Sequence, residues 1–262
     1  MAVMTTNRLP ILPAAKTAYR DLLHVVLAMP VLCGCALLIV LAAAVAENVV
    51  PLSLWVTPFL GGFLGLLLSV ARSFLLTPIM IAAHRYIILG EVTQGYVLDP
   101  LTHGFQIFFG WLVALSVLSS AATLVQELVM AAGLWIVVTA AVFIIGIVVV
   151  VAITARLSIL FPAVAVGAPQ ANAANAWADS EGHVLRIFLV FVAASVPLMA
   201  VTLLKVFALG PGITKRGSVL EVVDMIVSSP LQAGFVILYV AVASRLFQAL
   251  GRRLIGPANA TP

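Results

Sequence analysis

The chain has 262 residues, 64% hydrophobic and 8% charged, with a mean hydropathy of +1.24. So few polar side chains could not cover a water-soluble domain, and the reading is a single membrane domain over 1–262. Thirteen Lys and Arg against nine Asp and Glu give a net charge of +4, and no basic patch interleaved with aromatics accompanies it, so the excess points to loops facing anionic lipid and away from nucleic acid.

In chain order, apolar runs occupy 25–46, 52–71, 105–125, 129–155, 187–204 and 225–244, each long enough to cross about 30 Å of hydrocarbon. Continuous runs lack the alternation of an outer-membrane barrel. The predicted fold is therefore all-α: a polytopic membrane protein of six transmembrane helices. The first run carries a passable signal-cleavage pattern at Ala44 and Ala46 but exceeds the length of a signal core, so it is read as an uncleaved span. Cys33 and Cys35 lie within it on diverging helix faces, which argues against a disulfide between them, and no zinc-ligand spacing occurs.

Lys and Arg fix the orientation. Ten of them (Arg8, Lys16, Arg20, Arg72, Arg85, Arg156, Arg186, Arg245, Arg252, Arg253) fall on one side and three (Lys205, Lys215, Arg216) on the other, which places both termini in the cytoplasm. The connections around Glu47 to Pro51 and Gln126 to Leu128 are only a few residues long, so the spans pair as three antiparallel hairpins. The ends of the second helices of these hairpins share a pattern: Ala71-Arg72 with Pro78, Ala155-Arg156 with Pro162, and Ser244-Arg245. The arginines stand 84 and 89 residues apart, as a threefold hairpin duplication would give, with chance matching in an Ala/Leu-rich chain as the alternative.

On this alignment Arg72, Arg156 and Arg245 each sit where a span leaves the hydrocarbon and reach lipid phosphate, with Arg85 beside them. The alternative places Arg72 mid-span, in a helix running to Ala83, as the marker of a polar pathway. Pro78 and Pro162 are expected to break or bend the chain, leaving 73–90 and 157–167 as short interfacial helices along the cytoplasmic face. A third, over 170–181, would be closed by Gly182, with Asn172 and Asn175 capping or solvating it and Trp177 as its interfacial anchor. Pro197 and Pro230 predict kinks in the fifth and sixth spans, and Gly61 and Gly65 a close helix contact in the second.

All four histidines (His24, His84, His103, His183) fall at predicted cytoplasmic ends. His183 with Asp179 and Glu181 is the densest polar group, and His84 and His103 are weaker members of any such cluster. A solvated interface explains them as well, and no paired-histidine or HExxH spacing supports a metal. Nucleotide-binding and serine-hydrolase strings are missing, so no catalytic residue and no cofactor is assigned.

Two stretches carry a resemblance: Pro78-Ile-Met-Ile-Ala-Ala-His-Arg-Tyr-Ile-Ile-Leu-Gly-Glu91, and Arg156 to Pro162 followed by Ala176-Trp-Ala-Asp-Ser-Glu-Gly-His-Val-Leu-Arg-Ile187. They resemble a broad group of six-span bacterial inner-membrane proteins similar to the membrane domain of glycerophosphodiester phosphodiesterases and to the YciC-like proteins. The catalytic barrel of those phosphodiesterases has no counterpart in these residues, so the resemblance implies an inner-membrane setting and an accessory role. The expectation is a non-enzymatic protein acting in lipid organisation, with anionic membrane lipids or another envelope protein as partner. Transport of a small solute or lipid between hairpins is the alternative, and a membrane-embedded enzyme using the His/carboxylate set the third reading.

Overall fold

The computed structural model describes residues 10–49, 58–133, 135–209 and 219–256, and every regular element among them is helical. Arg8, Lys215, Arg216 and the beginning of the 52–71 run lie outside these residues. The helices are α1 (Ile11–Ala28), α2 (Pro30–Val49), α3 (Pro58–Leu89), α4 (His103–Ala131), α5 (Ile136–Leu157), α6 (Leu160–Ala165), α7 (Ala173–Asp179), α8 (Val184–Leu209), α9 (Val219–Leu250) and α10 (Arg252–Ile255). Six stretches are long and apolar enough to cross a membrane: α2, α3, α4, α5 together with α6, α8 and α9. Helices α2 and α3, α4 and α5, and α8 and α9 pack as pairs, and α9 is the hub, touching α1, α2, α3, α6 and α8. It buries most of the stretch from Ile237 to Phe247, where small residues such as Ala241, Ala243 and Ser244 let neighbouring backbones come close.

The first span starts later than its hydropathy suggests. Val25 to Ala28 belong to α1, a separate helix absent from the expected six, and α2 begins at Pro30. Met29 between them leaves the helical region, at φ −132° and ψ 58°, as the residue before a proline is pushed to do. Helix α1 buries Ala15, Ala18, Asp21 and Val25 at three- and four-residue spacing, a stripe that packs on α8 and α9.

The expected break at Pro78 does not occur. Helix α3 runs unbroken for 32 residues with Pro78 inside it, so 73–90 is no surface helix, and Arg72 stands near the helix middle instead of at a span end. A proline deprives the carbonyl four residues earlier of its N–H and loosens that turn. The carbonyls on either side of the deprived Phe74 carbonyl gain side-chain donors: Thr77 Oγ1 donates to the Ser73 carbonyl at 2.7 Å and the Tyr96 hydroxyl to the Leu75 carbonyl at 2.9 Å. The same device recurs at Pro197, where the Tyr19 hydroxyl of α1 donates to the Ala194 carbonyl of α8 at 2.7 Å. In both cases a tyrosine from another segment meets the carbonyl three residues before the proline. Burial pushes the pKa of the Tyr19 hydroxyl up, which keeps it a donor. Tyr19→Phe removes this bond and is expected to cost about 1 kcal/mol; a thermal unfolding midpoint in detergent equal to that of the parent would contradict the role.

Pro162 does break its helix. The helical run stops after Leu157 and resumes at Leu160, spanning Ser158, the residue whose carbonyl loses its partner. The resumed helix is not the expected surface helix, because every residue of α6 is buried and α6 packs against α3, α4 and α9. The reason is composition: Leu-Phe-Pro-Ala-Val-Ala has no polar face to show to water or headgroups. Helix α6 is a plug. The next short helix, α7, forms within the expected stretch, and of its two asparagines it is Asn172 that caps it, Oδ1 accepting from Asn175 N at 2.9 Å, with Gly182 at φ +74° ending the turn that leads into α8.

Candidate functional site: an arginine-bearing cavity where the hairpins meet

Polar side chains on apolar helices need partners, and in this bundle they gather. A cavity of about 540 Å³ lies where the three hairpins converge. Helix α3 supplies Ser69, Arg72, Ser73, Leu76 and Met80; α4 supplies Leu112, Leu115, Ser116, Ser119 and Ser120; α9 supplies Gln232, Phe235, Val236 and Tyr239; Val40 of α2 and Thr154 of α5 complete the wall. The spacing explains the convergence. Ser69, Arg72, Ser73, Leu76 and Met80 repeat at three and four residues along one face of α3, and Leu112, Leu115, Ser116, Ser119 and Ser120 do so on α4. Serines on membrane helices ordinarily serve packing. Here Ser69, Ser116, Ser119 and Ser120 line the same open space as Arg72.

Arg72 forms no ion pair or hydrogen bond with any described residue. Its two counterparts in the proposed repeat are both engaged. The Arg156 guanidinium stacks over the Trp177 ring at 4.3 Å and donates to the Trp177 carbonyl at 3.4 Å, joining α5 to α7. Arg245 binds Asp21 of α1 through two hydrogen bonds of 2.5 and 2.6 Å and reaches Gln248 at 2.9 Å. Arg85, the fourth arginine singled out, pairs with Glu91 at 2.6 Å and donates to the Ala165 carbonyl, tying the end of α3 to the plug. An unpaired guanidinium among apolar helices is costly, so Arg72 requires water or an anion in the cavity. A guanidinium offers a planar fork of donors suited to phosphate or carboxylate, and the surrounding hydroxyls can donate to the same oxygens.

Beyond Met80 the bundle is closely packed. One turn further along α3, His84 is fully buried and its Nδ1 lies 2.7 Å from Ser244 Oγ of α9. Phe108 packs beside it at 5.9 Å and meets Phe161 of α6 edge-on at 5.0 Å. These groups and the α6 plug fill the end of the bundle that carries Arg85, Arg156 and Arg245. Among the described residues His84 Nε2 has no hydrogen-bond partner, and the buried pair pins α3 to α9.

The polar-cluster candidates do not meet in one centre. His84 is in the core, His103 is exposed at the start of α4, and His183 precedes α8. Asp179 is occupied in accepting from the backbone N–H groups of Arg253 and Leu254 at the start of α10. Among the described residues no group of three His, Cys, Asp or Glu could hold a metal ion. The prolines do not line the cavity: Pro78 lies inside the continuous α3 and Pro162 in α6, and Pro197 and Pro230 lie inside α8 and α9, which run through them unbroken.

Sequence reasoning missed three polar links: Asp21 with Arg245, His84 with Ser244, and Lys205 of α8 with Asp224 of α9 at 2.6 Å. It also missed Gln232 and Tyr239 as cavity residues. No local signal announces the first two links, whose partners are 224 and 160 residues apart. The third was within reach, since a lysine and an aspartate facing each other across one short connection are candidates for pairing. Comparison of the chain with protein-family models, with the curated proteins and with the solved structures finds no match in any of the three.

Proposed function

We propose that this polytopic membrane protein is a non-enzymatic component of the bacterial inner membrane, akin to the YciC-like group, that holds the headgroup of an anionic lipid inside its bundle. The observation that carries the reading is the unpaired Arg72 in a hydroxyl-lined cavity of about 540 Å³ at the meeting of the hairpins. That volume is within the range of ordinary ligand sites, and the mostly apolar wall suits a molecule whose charged end is small and whose remainder is hydrocarbon. Lipid organisation, alone or beside another envelope protein, is the corresponding role, with the termini on the cytoplasmic side as the excess of basic residues at that end supports.

Transport of a small anion or lipid through the same cavity is the second reading, favoured by its position between hairpins. The packing of α6, Phe108 and His84 beyond Met80 counts against a continuous path and favours binding. Purification in mild detergent followed by extraction of retained lipid is the test. Anionic phospholipid enriched over its share of the source membrane is the expected result. Retained lipid of bulk composition would overturn the proposal, and flux of an anion in proteoliposomes would move the assignment to transport.

A further inference from the structure

Helix α1 has a second face that the bundle does not use. Its inner stripe packs on α8 and α9, with Tyr19 and Asp21 bonded to those helices, which fixes the opposite face outward. On that face Lys16, Arg20 and His24 stand at successive four-residue intervals, with Leu23 and Leu27 beside them, 59% and 78% exposed. Together with Thr17 they surround a concavity of about 480 Å³. None of the three basic groups has an ion-pair partner among the described residues. The neighbouring carboxylate, Asp21, points inward and is taken by Arg245.

The gradient along the helix is as telling as the charge. Lys16 and Arg20 come first, the exposed leucines come next, and after Met29 the chain enters the apolar α2 without a linker. Such an order suits a helix that descends from the headgroup layer into the acyl layer. A soluble acidic partner would satisfy the basic groups and leave Leu23 and Leu27 in water, whereas a bilayer surface satisfies both.

We propose that the outer face of α1 is a docking surface for anionic lipid, with one headgroup phosphate taken between Lys16 and Arg20 and its chains lying along Leu23 and Leu27. This site is separate from the Arg72 cavity and does not depend on it. The full chain is titrated in detergent with phosphatidylglycerol and with phosphatidylcholine, and bound lipid is counted by native mass spectrometry, in the parent, in Lys16→Gln/Arg20→Gln and in Arg72→Leu. Both basic side chains are exposed, so the double variant is expected to fold, as an unchanged unfolding midpoint verifies. The expected result is a phosphatidylglycerol site weakened about thirtyfold in the double variant, further weakened by salt, and intact in Arg72→Leu. Equal affinity for the two lipids, or no loss in the double variant, would overturn the assignment. Displacement of the lipid by inorganic phosphate beyond that given by sodium chloride at the same ionic strength would overturn it too, by showing a free-anion site.

Discussion

Replacing Arg72 with leucine should abolish the retention of anionic lipid in the bundle while leaving the empty protein at least as stable as the parent. The two halves of this result have different causes. A guanidinium bound to phosphate in a largely apolar cavity loses its water on both sides, and deleting one partner of such a pair costs about 2–3 kcal/mol, a thirtyfold to hundredfold weaker site. In the unoccupied protein, however, Arg72 has no partner among the described residues. Removing it there relieves the burden of a charge held by helices without compensation, and leucine adds apolar contact with Leu76 and Leu115 in the same wall. The unfolding midpoint should therefore rise or stay level without lipid, and in the Lys16→Gln/Arg20→Gln background, where the α1 face no longer binds, the further rise that anionic lipid gives should vanish with Arg72→Leu. Arg72→Lys keeps the charge and loses the planar fork, so it should fall between the two. In that background, an Arg72→Leu protein that is destabilised when empty yet stabilised by anionic lipid as much as its Arg72 parent would assign Arg72 a structural role and end the binding proposal.

That Arg72 differs from Arg156 and Arg245 could not be read from the repeated pattern they share. The pattern places each near the end of an even-numbered span, and the local rule for an arginine there is that it reaches toward headgroups. Its fate depends on what lies beside it in space. Arg156 finds Trp177, Arg245 finds Asp21, and Arg72 finds an open cavity whose wall, among the described residues, holds serines and Gln232 but no carboxylate.

The spans themselves were legible, because crossing hydrocarbon demands a long run of apolar residues and nothing distant can substitute for it. Proline is the intermediate case. Its cost to its own helix is local, but whether the helix yields depends on donors such as the Tyr96 hydroxyl, which meets Leu75 from a separate loop. Helix α1 escaped notice for a related reason. Lys16, Arg20 and Asp21 interrupt its hydropathy, although Ala15, Ala18, Leu22 and Val25 already trace one helical face. The cavity was least legible of all, since serines on apolar helices serve packing and ligand sites alike.

Breaking the link between Asp21 and Arg245 is expected to be the most destabilising of the single polar changes, because it joins the first helix to the last long one. Asp21 has a side-chain exposure of 8% and Arg245 of 34%, so the pair is neither a surface bridge worth a few tenths of a kcal/mol nor a fully dry one. Two parallel hydrogen bonds fix its geometry, as in other fork-to-carboxylate pairs. Asp21→Asn preserves the shape and one acceptor while removing the charge, and is expected to cost about 2 kcal/mol, partly because Arg245 keeps Gln248 and some access to solvent. Hydrogen exchange should localise the damage: amides of α1 and the second half of α9 should exchange faster, with α4 and α5 unchanged, since α1 rests on α8 and α9. A double-mutant cycle with Arg245→Gln isolates the pair from its surroundings. A coupling near zero would mean that Tyr19 and the apolar stripe of Ala15, Ala18 and Val25 hold α1 without help. A coupling of about 2 kcal/mol would make this single ion pair the clasp that fixes the orientation of the lipid-facing helix, so that Asp21→Asn should also weaken anionic lipid binding at Lys16 and Arg20 without touching either residue.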